Sequence, residues 1–150
     1  MKLIGQRNST NHPYNVGFDV VSNQYILAAD DTTGNIRYYI ISKEEYDYSV
    51  ENADLIDEIY YDCIRKNNNS ERFFFSNWMK ENSTPKQQKL AWKYSWIELF
   101  ENKKRDEVHR ITNPDRIEDD GKYEYYKFNA TNIVTLEYEN DCCVKVTVAE

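Results

Sequence analysis

Two changes of hydrophobic period divide this chain, and they restrict its fold more than any single motif does. From Val16, "VGFDVV", "QYILAAD" and, after the turn-rich "DDTTGN", "IRYYIIS" carry strand-like patterns, with Asn23 as a turn residue and Gly34 supplying a positive φ. Helical spacing takes over in the central third. Beyond "ENKKRDE" the pattern returns to strands: "VHRIT" as a short one before the turn-prone "NPDR", then "KYEYYKFN", "IVTLEYEN" and "CCVKVTV", with tight connections at about Ala130-Thr131 and Asn140-Asp141. Strands, then helices, then strands predict an α+β domain over 1–150. Its expected form is a single layer of mainly antiparallel sheet, made of an N-terminal meander and C-terminal hairpins, with about three helices from the central segment packed on one face.

The central segment carries the most information. Ser42 with Glu45 three residues on matches a capping box and predicts a helical turn at "SKEEYDYS". Leu55, Ile56, Ile59, Tyr60, Cys63 and Ile64 recur at helical spacing and predict a helix over Glu51–Lys66. On its wheel the apolar residues fill one half, and Glu51, Asp54, Asp57, Glu58 and Asp62 fill the other, with Tyr61 between Asp57 and Asp54. "NNNS" breaks that helix, and Ser70 is placed to cap a second through "ERFFFSNWMKEN". Thr84-Pro85 opens a third, "PKQQKLAWKYSWIELFEN". This third helix has two apolar stripes, Leu90, Tyr94 and Ile97 against Trp92, Trp96, Leu99 and Phe100, so the second stripe leaves room for a homodimer.

A chain of 150 residues with 40% hydrophobic content, four glycines and three prolines suits one packed core and excludes disordered and fibrous classes. No stretch approaches the ~18 apolar residues of a membrane helix, and the polar start is too short of apolar residues for a secretory leader, so the expected location is cytoplasmic. Three cysteines without zinc spacing agree with a reducing compartment.

The net charge of −7 is unevenly distributed: residues 1–18 carry +2, 19–62 carry −9, 63–116 carry +5 and 117–150 carry −5. An acidic chain disfavours direct nucleic-acid binding, and "KQQKLAWKYSW" reads better as an amphipathic helix with solvated lysines.

Candidates for chemistry are few. His12 and His109 are the two side chains that titrate near neutral pH unperturbed, and each reads more simply as a surface or structural histidine. Cys63 falls on the apolar half of its helix. Cys142 and Cys143 are adjacent on a strand and point to opposite faces, so neither can assist the other, although a redox role for the more exposed thiol stays open. Asp30 to Asn35 resembles the start of a calcium loop but lacks its closing glutamate, so no metal site is assigned. With no glycine-rich phosphate loop, no cofactor is assigned either. No catalytic residue is named, and the expectation is that the protein is not an enzyme.

What remains is the acidic helix face. Residues 51, 54, 57, 58, 61 and 62, namely Glu51, Asp54, Asp57, Glu58, Tyr61 and Asp62, form the expected partner-binding patch for a basic protein. In general character the chain looks like the small acidic immunity proteins that neutralise bacterial toxins, many of them nucleases. This is a likeness of type that rests on no aligned residues. The Asn-, Ile-, Lys- and Tyr-rich composition fits an AT-rich bacterial or phage gene. One alternative is a phage-encoded inhibitor of host defence, acting as a nucleic-acid mimic or as a nucleotide sponge, for which Arg105, Arg110 and Arg116 are the available cluster. The other is a small enzyme centred on His109, which would need that imidazole within reach of a carboxylate or thiol in a pocket.

Overall fold

The computed structural model describes residues 1–65, 71–112, 116–127 and 133–149. Its elements run β1 (Leu3–Asn8), β2 (Tyr14–Asp19), β3 (Gln24–Asp30), β4 (Ile36–Ile41), α1 (Lys43–Glu51), α2 (Asp54–Arg65), β5 (Phe73–Ser76), a 3-10 turn (Met79–Glu81), α3 (Pro85–Phe100), α4 (Arg105–Thr112), β6 (Arg116–Asp119), β7 (Tyr123–Lys127), β8 (Ile133–Glu139) and β9 (Cys142–Val148). The class is α+β and the sheets are antiparallel throughout, as the periodicity predicts. The described strands form two hydrogen-bonded sheets, ordered β1-β2-β3-β4-β5 and β6-β7-β8-β9. The chain divides into two compact units, Met1–Ala91 and Trp92–Glu150, with α3 running through the boundary.

In the first unit the meander has the expected strands and turns, with Asn23 at φ 59° and Gly34 at φ 90°. Val16 pairs with Leu27 and Leu27 with Tyr39, so three apolar side chains line up across β2, β3 and β4. Together with Ala29 and Ile41 they meet Ile56, Ile59 and Cys63 of α2 to form a core. Each of these large side chains contributes roughly 1.5–3 kcal/mol on full burial. Helix α1 begins at the predicted capping box: Ser42 Oγ accepts from the Glu45 amide at 3.0 Å, and Glu45 Oε1 accepts from the Ser42 amide at 2.9 Å. Glu45 also accepts from Arg72 Nη1 at 2.9 Å. Burial alone would raise the Glu45 carboxyl, but Arg72 and the Ser42 amide outweigh it and hold the group below its ordinary value.

Three local expectations are corrected, and one strand is added to them. The predicted Glu51–Lys66 helix is α2 and starts three residues later than expected: Glu51 instead ends α1, Asn52 is extended at φ −151°, and α2 starts at Asp54, whose amide donates to Asn52 Oδ1 at 2.9 Å. An asparagine that satisfies the backbone locally breaks a helix where the hydrophobic spacing alone runs on.

The phenylalanines of "ERFFFSNWMKEN" form strand β5, with Phe73 opposite Tyr39 and Phe75 opposite Tyr38; Ser70 lies outside the described residues. Three aromatics in a row fit a buried strand as well as a helix. "VHRIT" belongs to α4, because Val108 and Thr112, four residues apart, both turn inward. Strand β1 was not foreseen: it is a polar edge strand with a register shift between Ile4 and Arg7 and with Gly5 at φ 58°.

In the second unit Asn140 and Asp141 both adopt positive φ, as a two-residue hairpin turn between β8 and β9 requires. The other predicted connection, Ala130-Thr131, lies outside the described residues. Tyr126, Val134, Leu136, Cys143 and Val108 are fully buried there.

Ile56 has no exposed surface, whereas Ile4 is 57% exposed. Ile56→Ala should cost about 2–5 kcal/mol in urea denaturation and Ile4→Ala no more than about 0.5 kcal/mol; equal costs would contradict the packing of α2 described here.

Candidate functional site: the acidic face of helix α2

The inward residues of α2 fix which side chains face water. Ile56, Ile59 and Cys63 are buried, and the Tyr60 ring is half-buried and stacks on Tyr14 with centroids 4.0 Å apart. Burial first, and then the Tyr14 hydroxyl, push the Tyr60 phenol up to about 12, so it stays neutral at physiological pH. On the other side Asp54, Glu58 and Asp62 are exposed at intervals of four residues. They form a row ~12 Å long on the helix surface. Tyr61 flanks the row and is 44% exposed. Among the described residues no cationic side chain pairs with Asp54 or Glu58.

Two residues of the expected patch stand apart. Glu51 is exposed but ends α1, so it belongs to a different helix. Asp57 is half-buried and committed to the β1–β2 loop: Ser9 Oγ donates to its Oδ1 at 2.5 Å, and His12 Nδ1 lies 3.2 Å from its Oδ2. The His12 ring stacks on Tyr14 at 5.1 Å, so this histidine has the structural part that the sequence suggests. The Asp57 tie could not be read from sequence, since it joins positions 48 apart.

The reverse face of the meander holds a cleft of about 490 Å³, lined in part by Asn8, His12, Asn15, Ala28, Asp30 and Tyr38. Sequence reasoning missed it. Its only signal is that β3 carries alanine where its register partners are an asparagine and a tyrosine.

In the second unit α4 and β7 bring together the residues considered for chemistry. Glu124 is fully buried, and its carboxylate contacts three side chains: Arg105 Nη1 donates at 2.6 Å, His109 Nε2 lies 2.9 Å from both oxygens, and the Tyr126 hydroxyl donates to Oε2. Arg105 also donates to Asp141 Oδ1 at 2.8 Å and to the Gly121 carbonyl at 2.6 Å, and its guanidinium lies 4.0 Å over the Tyr138 ring. His109 thus has the carboxylate neighbour that the enzyme reading requires.

The arginine cluster considered for a nucleotide is divided. Arg105 is engaged as above, Arg110 makes an exposed pair with Asp106 at 3.4 Å, and the Arg116 side chain lies outside the described part of the structure.

The remaining candidates have ordinary roles. Cys63 and Cys143 are buried, and burial raises both thiols, Cys143 to about 11; Cys142 is partly exposed. In the Asp30 to Asn35 turn, Asp30 accepts from the Thr32 amide at 2.8 Å and Asp31 from the Thr33 amide at 2.9 Å, which spends carboxylate oxygens on the backbone. Among the described residues no group of three or more His, Cys, Asp or Glu side chains is placed to hold a metal ion. Among them, too, no helix is long and apolar enough to cross a membrane. On α3, Trp96 and Phe100 are buried while Trp92 and Leu99 remain exposed, so the second stripe is only half exposed.

Taking Glu124 away would leave Arg105 and His109 without their shared partner. Glu124→Gln should destabilise the second unit by about 3 kcal/mol in chemical denaturation, near the low end for a broken buried ion pair because Asp141 still faces Arg105. A variant as stable as the wild type would mean that the cluster does not hold α4 to β7.

No protein-family model, curated protein or solved structure matches this chain.

Proposed function

We propose that this protein is a non-enzymatic inhibitor that occludes a basic surface of a partner protein with the outer face of α2. The observation that carries the reading is the exposed row Asp54, Glu58 and Asp62 beside the 44% exposed Tyr61. Like charges four residues apart weaken a helix by a few tenths of a kcal/mol per pair. Asp54 recovers part of that at the helix N-terminus, but Glu58 and Asp62 lie beyond the first turn, where the helix dipole contributes little. A row of this kind serves encounter: acidic complementarity raises association with a basic protein toward roughly 10⁸–10⁹ M⁻¹s⁻¹ at low salt, and an exposed tyrosine supplies a contact that can be desolvated.

A basic toxin, for example a nuclease whose active site must attract phosphates, is the partner class that fits such a face, and immunity to that toxin is the corresponding role. Asp57 is removed from the contact set because Ser9 and His12 occupy it.

The second reading is an enzyme in which Glu124 orients His109, favoured by their 2.9 Å contact. It is weaker because Arg105, His109 and Tyr126 all converge on that carboxylate, which is the pattern of a structural hub.

Against a panel of basic nuclease toxins, the combined Asp54→Ala, Glu58→Ala, Asp62→Ala variant should inhibit at least about tenfold less well than the wild type and show a shallower dependence of affinity on salt. Equal affinity and an equal salt slope would sink the assignment. His109→Ala should leave inhibition unchanged.

A further inference from the structure

We propose that the cleft on the reverse face of the meander is a guanidinium site, which takes an arginine side chain of the basic partner. The partner half of this statement rests on the reading above, while the ligand chemistry stands on the cleft itself.

The cleft exists because of one small residue. Ala28 on β3 lies between two larger register partners, Asn15 on β2 and Tyr38 on β4, and Asn8 on β1 continues the row. One step along the strands Asp30 faces Ile36 and extends the floor. Among the described residues no lysine or arginine side chain lines the space, and the lining histidine, His12, lies 3.2 Å from Asp57 Oδ2.

What the cleft offers is acceptors. Asn15 Oδ1 is buried and has no hydrogen-bond partner among the described residues. A buried acceptor left in that state costs free energy until a donor arrives. Asp30 spends Oδ1 on the Thr32 amide and brings a negative charge to the same wall. The Tyr38 ring adds an aromatic surface. A guanidinium carries five N–H donors in a plane, so it can serve both acceptors at once and stack on the ring; an ammonium is a point charge with no flat face.

The loop at the rim of the cleft also touches α2. His12 lines it, and His12 and Ser9 both contact Asp57 of α2, so one loop serves as the rim of the cleft and as a strap across the helix. A basic protein lying along α2 would bring its cationic side chains to that rim.

The test uses N-acetyl-arginine methylamide as a probe, with the lysine analogue as control, titrated into the full chain and followed by amide NMR. Saturable shifts are expected at Asn8, Asn15, Asp30 and Tyr38. Asp30→Asn should weaken the probe about tenfold, and Ala28→Leu should abolish its binding by filling the floor. The triple α2 variant should keep the probe affinity within about twofold, because none of its three residues lines the cleft. No saturable shifts in the cleft, undiminished binding by Asp30→Asn, or equal binding of the lysine analogue would each overturn the proposal. The two readings fail separately: a probe that binds while the triple α2 variant still inhibits toxins fully sinks the α2 reading alone, and a silent probe with a defective α2 variant sinks the guanidinium site alone.

Discussion

The seating of α2 on the meander is the interaction on which the proposed contact surface depends. Ile56, Ile59 and Cys63 fit against Val16, Leu27 and Tyr39, and a helix with one apolar half can be buried in only one rotational setting. Once that setting is fixed, Asp54, Glu58, Tyr61 and Asp62 are turned to water with no further instruction. The Asp57 contacts to Ser9 and His12 secure the same setting at the helix flank and draw the β1–β2 loop over to it. Hydrophobic burial therefore decides the orientation, and the charges follow.

The acidic run from Tyr38 to Cys63 separates into acids with different work. Glu45 pairs with Arg72, Asp47 with Lys43 at 2.6 Å, Glu44 accepts from the Tyr48 hydroxyl at 3.0 Å, and Asp57 holds the loop. Asp54 and Glu58 of the α2 row make no such ion pair with a cationic side chain among the described residues. The same distinction applies at Glu124, a fully buried acid whose carboxylate contacts Arg105 and His109 and serves the packing of its own unit. Acidic composition by itself says little; the partners of each carboxylate say which are available.

Much of this was legible in the sequence where side-chain period dominates. The meander, the capping box at Ser42, the inward face of α2 and the Asn140-Asp141 hairpin all follow from local pattern. What escaped depends on contacts distant in sequence. "FFFS" becomes a strand because β4 supplies an edge for it, and "VHRIT" becomes helix because Val108 and Thr112 both find a core. The break at Asn52 is local but turns on one side-chain hydrogen bond that hydrophobic spacing does not register. At the candidate site the exposed row was readable from the wheel. The loss of Asp57 to Ser9 and the cleft above Ala28 were not, since both arise from strand register.

If α2 is the contact surface, a hydrogen-exchange footprint of the complex with an inhibited basic toxin will show it directly. Amide exchange should slow across residues 54–62 and in the adjoining Ser9–Pro13 loop, with β7 to β9 unchanged. Protection confined to β7 to β9 or α4, with α2 exchanging as in the free protein, would contradict it.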